Sequence, residues 1–596
     1  MTRRQRFTGK HAEGGHELGV LGGLAALSLD ALSSVAYGPE AMVLVLITAG
    51  TAALRFTVPL ILVIVAMLVL LVVSYTQVIG AHPEGGGAYA VAKSNLGRWP
   101  SLLAAAAVVV DYVLTVAVSL AAGAASLASV FPALANHVLL VSLIGLALLT
   151  AVNMFGIAES ARLLLAPAAI FAASVLAMIV FGALHPHPVA SIGKRLPISS
   201  TTALGVVLIL KAFASGCSAV TGIEAISNSV PAFREPRVRT ARRTEVSLGL
   251  LLAVMLIGLA VLIRVHHVVP RSGVTILAQV SAGAFGTGWA FYVSNLAVAL
   301  VLALAANTSF GGLPVLMNLL ARDNRLPHLF YLRAEKPVYR YGIVALALLA
   351  AVLLVAVAGQ TDRLIPLFTI GVFIGFTISQ IGLVRHWHAA RPPHWRVRIA
   401  LNGAGAAMTA VAVVVFLGSK FLEGAWVVAI AIPLLIVMFA RIEGYYAEVS
   451  RELRYGRTPP PPCKCDSIVL VPIAAVSLLT ERAISAALSL GDTVVALAVA
   501  GDEQERERIQ DEWETWKTPV PLEVLIDPHR SLTHTVLEYV KSIDRDDMIV
   551  TVLIPEVIPR KRRHEILHNQ RGRLLEATLR QRADVVIATL PFHVHD

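Results

Sequence analysis

Apolar windows of about 20 residues, the length of helix that crosses the hydrocarbon of a bilayer, recur through most of this chain. Twelve can be placed, near residues 17–49, 56–80, 99–131, 136–152, 162–184, 201–230, 244–266, 287–318, 341–358, 361–384, 397–418 and 422–441. A polar N-terminal tail over 1–16 precedes them. After Arg441 the pattern changes: a charged connector over 442–465 contains Pro459-Pro460-Pro461-Pro462, a stiff extended spacer. Strand-like runs then follow at Ser467–Pro472, Thr493–Val499, Leu522–Ile526, Met548–Leu553 and Asp584–Ala588, with helical patterns between them near 477–489, 502–517, 531–543 and 563–581. Short β-branched runs alternating with helices predict an α/β domain with a parallel sheet over 466–596.

Two of the apolar segments are interrupted. The first carries Leu29-Asp30-Ala31-Leu32-Ser33-Ser34-Val35-Ala36-Tyr37-Gly38-Pro39-Glu40, in which Gly38-Pro39 is expected to stop the helix and free its carbonyls. The sixth carries Ser215-Gly216-Cys217-Ser218-Ala219-Val220-Thr221-Gly222-Ile223-Glu224. Lipid offers no partner to an ionised group or an unwound backbone, so such breaks persist where they face a bundle interior or an ion pathway. Breaks in segments one and six lie five segments apart. That spacing predicts two inverted five-helix repeats, with segments eleven and twelve outside the core. The fold class expected is a twelve-span helical membrane protein with a cytosolic α/β tail.

Composition agrees: 56% of the 596 residues are hydrophobic and the mean hydropathy is +0.73, well above an ordinary soluble chain. The net charge of +11 does not point to nucleic acid, because the basic residues cluster between apolar segments rather than on one soluble face. With the N-terminus inside, the inner loops and N-terminal tail carry 21 Lys and Arg, against seven in the outer connections. Both termini are therefore expected in the cytoplasm. Three cysteines make no disulfide framework, and Cys463-Lys464-Cys465 lacks the second pair that a zinc site would need.

Sodium and potassium are hard cations that take oxygen ligands, and broken helices expose carbonyls that can replace water around them. The first break offers Asp30, Ser33, Ser34 and Tyr37; the sixth segment offers Thr221 and Glu224. Asp111, Thr115 and Ser119 in segment three are spaced i, i+4, i+8 and so share one helical face. Deeply placed carboxylates have no inexpensive structural role in a membrane, whereas Ser and Thr also serve as glue between helices. A carboxylate in such a site can exchange a proton for a bound cation, which makes Asp111 and Glu224 the proton-coupling candidates. Glu40 and Glu84 are weaker candidates, near an interface or in a loop. Lys211, within segment six, can pair with an internal carboxylate or extend to the interface. The glycine-rich His82–Gly87 loop lacks the Lys-Ser/Thr ending of a phosphate cradle and reads as a tight re-entry between segments two and three. The tail has no glycine-rich nucleotide fingerprint after its fourth strand, where Leu553-Ile554-Pro555-Glu556 stands.

The runs Asp30–Glu40, His82-Pro83-Glu84-Gly85-Gly86-Gly87-Ala88-Tyr89-Ala90, Ser215–Ser227 and Ile370–Gln380 resemble the amino acid–polyamine–organocation superfamily. Within it the chain is most similar to KimA-type potassium transporters, relatives of the Kup family. The likeness continues through the tail at Val552–Pro555, Ile566–Gln570 and Val585–Thr589. It implies a K⁺/H⁺ symporter of the bacterial inner membrane, a homodimer through a universal-stress-protein-like tail, with no cofactor beyond the transported ions. It further implies that Asp30, Tyr37, Asp111, Thr115, Ser119, Thr221 and Glu224 line the potassium path. Cyclic di-AMP restrains uptake in some members of the family, and no site for it can be located in this chain. Phe368 departs from the pattern, which leads to a tyrosine there.

The main rival is an amino-acid or polyamine permease of the same fold. An amino-acid permease holds the substrate carboxylate on backbone N–H groups at a glycine-rich first break; here that break holds Asp30 and no glycine before Gly38. A carboxylate repels an anionic group, so a cation fits better, and polyamines remain the closer competitor. A sensor would need a signalling motif in the tail. An enzyme would need a nucleophile–base or metal constellation, and the sequence displays neither.

Overall fold

The computed structural model describes residues 17–85, 87–155, 161–184, 192–195, 202–331, 339–421, 424–458, 461, 465–528, 531–543, 548–559 and 569–593. The tail expected over 1–16, most of the proline spacer, Cys463 and Lys464 lie outside these residues. The chain divides into two units, Met1–Tyr455 and Gly456–Asp596.

Long apolar runs without water to satisfy their backbone must close their own hydrogen bonds, and the first unit is accordingly helical. It comprises α1 (Val20–Leu27), α2 (Leu29–Leu46), α3 (Thr57–Ala81), α4 (Ala88–Asn95), α5 (Arg98–Val130), α6 (Val138–Met154) and α7 (Ala161–Leu184). After a two-residue strand β1 (Lys194–Arg195) come α8 (Val206–Gly216), α9 (Glu224–Asn228) and α10 (Arg237–Val265). Strand β2 (Arg271–Ser272) pairs antiparallel with β1 and leads to α11 (Ile276–Phe285), α12 (Trp289–Arg322), α13 (Arg340–Ala356), α14 (Thr361–Ala390), α15 (Trp395–Lys420) and α16 (Ala425–Glu452). The helices α2, α5 and α14 are the most enclosed, while α6, α7 and α16 turn most of their surface outward. Exposed Leu62, Val69, Leu140, Leu148, Val352 and Leu434 form the kind of apolar exterior that lipid covers. The last helix does not stop at Arg441 but runs on through the charged residues to Glu452.

Among the described residues, ten helices are long and apolar enough to cross a membrane, rather than twelve. The two expected segments that fall short are the sixth and ninth, present as the shorter apolar helices Val206–Val220 and Arg340–Ala356. The sixth is short because its backbone unwinds at Thr221-Gly222. The structure also holds a short helix that the apolar windows missed: α11 is ten residues, too few to span, yet Leu277–Ala284 within it are buried.

One expectation is overturned. Gly38-Pro39 does not end the first helix: α2 continues through both residues to Leu46, and the break lies at Ser28. Gly38 is there for proximity, since a Cβ on it would stand 2.4 Å from the Ala219 Cβ. Pro39 costs α2 one backbone bond without interrupting its path.

The second unit is a five-stranded sheet of β3 (Asp466–Ile473), β4 (Thr493–Ala500), β5 (Leu522–Ile526), β6 (Met548–Ile558) and β7 (Val586–His593), in the order β5-β4-β3-β6-β7 and parallel throughout. Parallel strands need crossover helices on both faces. One face is covered by α17 (Leu478–Leu488) and α18 (Glu503–Trp516), packing Ile484 and Trp513 against Val469 and Val471. The other is covered by α19 (Leu532–Ile543) and α20 (Gln570–Arg582), packing Val536 and Leu575 against Leu470 and Val552. The fourth strand does not end at Leu553: β6 runs on through Pro555-Glu556, paired with Leu590 and Pro591 of β7.

Candidate functional site

The site is built where the two breaks meet. Helix α1 stops at Leu27, Ser28 leaves helical geometry (φ −103°, ψ 2°), and Asp30 falls in the first turn of α2. The Ser28 hydroxyl donates to the Leu24 carbonyl at the end of α1. In segment six, α8 tightens into a 3₁₀ turn over Cys217–Val220, Thr221 becomes extended, and Gly222 takes φ +81° before Glu224 opens α9. Only glycine adopts that backbone without penalty. The breaks are tied together directly: Ser34 Oγ donates to the Ala219 carbonyl at 2.9 Å. Ser33 Oγ donates to the Asp30 carbonyl at 2.7 Å, and Thr221 Oγ1 to the Ser218 carbonyl at 3.1 Å.

Beside the breaks lies a cavity of 710 Å³ that reaches Asp30, Asp111 and Glu224 together. These three carboxylates are near enough to act on one another as charges. Among the described residues Asp30 Oδ1 and Glu224 Oε2 have no hydrogen-bond partner, and Thr115 Oγ1 reaches Asp111 Oδ1 only at 3.5 Å. Glu84 is the fourth carboxylate on the wall, and no Lys, Arg or His lines the cavity among the described residues. Like charges gathered without a basic partner call for a cation or protons to compensate them. The glycines of the His82–Gly87 loop permit its approach to the break: Gly85 (φ +99°) sits against the Asn228 carbonyl and Gly87 against the Asn228 side chain.

The seven expected site residues do not form one shell. Asp30, Asp111 and Glu224 share the larger cavity, whereas Tyr37 lines a second cavity of 550 Å³ with Glu40, Ser126, Thr275 and Asp362. Between the two, Thr115, Ser119 and Thr221 are buried and line neither. A helix rises ~1.5 Å per residue, so Ser119 stands about 12 Å along α5 from Asp111, with its Oγ unpartnered among the described residues. The Tyr37 hydroxyl lies by Thr221 and Ser33. Its ring meets Phe368 edge-on, centroids 6.5 Å apart, where the apolar ring adds packing and no ligand oxygen. The arrangement is a column of oxygens between two cavities. Lys211 on α8 is half-buried and lines neither of them.

Sequence reasoning missed several members. Tyr75 on α3, Tyr112 on α5 and Asn307 and Ser309 on α12 also line the larger cavity. Asn153 Nδ2 donates to Asn307 Oδ1 at 2.6 Å, joining α6 to α12 on its wall. No single one of these is unusual in a membrane helix, so nothing in the linear pattern marked them. Among the described residues no His, Cys, Asp and Glu group has the makings of a metal centre.

Broken helices around a buried acidic cavity define a membrane permease, and residues 27–439 match the model of the amino acid permease family. Residues 465–592 match the model of the KimA potassium transporter C-terminal domain. The potassium transporter KimA of Bacillus subtilis (strain 168) is 37% identical over 592 residues, covering 98% of this chain and 97% of that protein. The chain belongs to the KimA family. A crystal structure of a manganese transporter from Eremococcus coleocola covers 72% of this chain and 95% of its own at 12% identity, with a TM-score of 0.38.

Proposed function

We propose that this protein is a secondary active transporter that imports potassium by proton symport across the bacterial inner membrane. One observation carries the reading: three carboxylates from three separate helices converge on a cavity without a basic side chain, among the described residues. The kinship to a potassium transporter supports the choice of ion. Asp30, Asp111 and Glu224 supply charge, and Tyr37, Thr115, Ser119 and Thr221 supply neutral oxygens along the column. Asp111 and Glu224 are the groups that trade a proton for the cation. In this reading the sixth and ninth segments complete twelve spans, and the breaks mark two inverted repeats of five. With both termini cytoplasmic, the larger cavity, which carries the His82–Gly87 loop, faces inward and the smaller one outward. The α/β tail serves dimerisation and regulation, with cyclic di-AMP a candidate signal.

Restoration of growth in a potassium-uptake-deficient bacterium at low external potassium tests the proposal. The wild type is expected to rescue and Asp111→Asn to fail at equal expression; rescue by neither, with both in the membrane, would sink it. A second reading, polyamine permeation, is favoured by the size of the acidic cavity. Excess polyamine that abolishes rubidium uptake while potassium does not compete would select it.

A further inference from the structure

One buried carboxylate belongs to neither cavity. Glu245 lies on α10 at 0% exposure, and neither Oε1 nor Oε2 has a hydrogen-bond partner among the described residues. It shares its helical face with Leu248, Leu252 and Leu259, all buried, so it points into the bundle and not to lipid. The basic residues one turn earlier, Arg242 and Arg243, are exposed, and Arg242 Nε is already given to the Thr76 carbonyl at 2.8 Å. A buried polar group normally finds a partner, and an ionisable one inside a membrane domain is retained for function. Packing offers no reason for a carboxyl here, where a leucine or glutamine would fill the same face.

Its surroundings supply a reason. Helix α10 packs against α1, α2, α3, α7, α9 and α11. Helix α10 lies along α3 with Gly249 against Val72 and Arg242 on the Thr76 carbonyl, which brings Glu245 level with Tyr75; Glu224 of α9 bears on Glu245 as a charge, and no titratable group of α1, α2, α7 or α11 does so among the described residues. Both Tyr75 and Glu224 line the acidic cavity. Glu245 thus lies outside the cavity, beside two groups that line it.

We propose that Glu245 is a second proton-binding group of the transporter, exchanging its proton with the cation cavity through Glu224 and Tyr75. The exchange is a simple transfer: the O–H bond of one carboxyl breaks as that of the other forms, once a side-chain rotation or a water bridges groups that are not hydrogen-bonded to one another in this structure. No electron pair leaves its atom and no further reactant is needed. A cation arriving at Glu224 favours the ionised form of that residue, and Glu245 is placed to hold the displaced proton. This rests on the proton-symport reading.

The test uses the full-length protein in liposomes, with internal pH followed by a dye during potassium addition and rubidium exchange measured across a pH series. For Glu245→Gln the expected results are loss of potassium-driven proton movement and a rubidium exchange rate that no longer follows pH, with Glu245→Asp restoring both in part. Wild-type proton movement and an unchanged pH profile in Glu245→Gln would overturn the proposal. If the glutamine form does not fold, Glu245→Asp decides: a displaced pH profile supports the role and a superimposable one refutes it. Absence of potassium-driven proton movement in the wild type would instead remove the symport reading itself.

Discussion

Gly222 abuts Asp30: a Cβ on Gly222 would stand 2.9 Å from Asp30 Oδ2 and 2.6 Å from the backbone nitrogen of Ala31. The second break is thereby seated on the carboxylate of the first, and the missing side chain leaves room for that contact. Gly222→Ala combines a left-handed backbone, which costs a residue with a Cβ roughly 1–2 kcal/mol, with an overlap against backbone that cannot yield. Rubidium uptake should be abolished and the melting temperature lowered. Gly97→Ala is the matched control, because Gly97 is also left-handed (φ +93°) but has nothing within 4 Å. It should lose stability and keep uptake; equal uptake in both variants would show that the contact with Asp30 is immaterial.

Tyr37→Phe removes one hydroxyl from the column and leaves the edge-on packing with Phe368 intact. A hydrogen bond of this sort is worth about 0.5–1.5 kcal/mol, which is roughly a two- to tenfold weaker half-saturation for rubidium. The fold should be unaffected. Unchanged half-saturation would place Tyr37 among packing residues and outside the ion path.

Much of this was readable in the sequence, and the exceptions have physical causes. In the tail, strand and helix periods differ so clearly that β5 over Leu522–Ile526 agrees to the residue. The convergence of Asp30, Asp111 and Glu224 was foreseeable because carboxylates stand out against lipid-length apolar runs. Gly38-Pro39 misled because a glycine-proline pair signals a stop in water-exposed helices; here Gly38 admits Ala219, and the stop falls at the inconspicuous Ser28. Helix α11 was invisible because ten apolar residues are too few for the window that finds spans. Glu245 drew no reading from the sequence, where it stands two residues beyond Arg243. Only its i, i+3, i+7 relation to Leu248 and Leu252 marks it as inward-facing, and that signal is strong once the helix start at Arg237 is known.

The tail's core has its own test. Trp513 is 6% exposed and its indole N–H donates to the Val520 carbonyl at 3.0 Å, fixing the end of α18 near β5. Trp513→Ala should cost about 3–5 kcal/mol of that domain's stability. Chemical denaturation of the whole protein, followed by proteolysis of the tail, should show that unit opening at lower denaturant. An unmoved transition would mean that the sheet does not depend on this ring.

If the tail is regulatory and not part of the path, a chain ending near Arg457 retains every carboxylate of the cavity. It is expected to bind potassium in calorimetry with affinity like the full chain and to show a smaller mass in size-exclusion light scattering. Loss of binding in a folded truncated bundle, or an unaltered dimer with unaltered regulation, would contradict this division of labour.

In the proposed mechanism the acidic cavity between the broken helices holds a potassium ion whose entry is coupled to protons. Rubidium accumulation by the purified protein in liposomes, driven by an imposed inward proton gradient, tests it most directly, with Asp111→Asn measured beside the wild type. Accumulation above the external concentration is expected, collapsing when the gradient is removed, inhibited by potassium, and absent in Asp111→Asn. Accumulation that persists with proton gradient and voltage both abolished, or wild-type accumulation in Asp111→Asn, would contradict it.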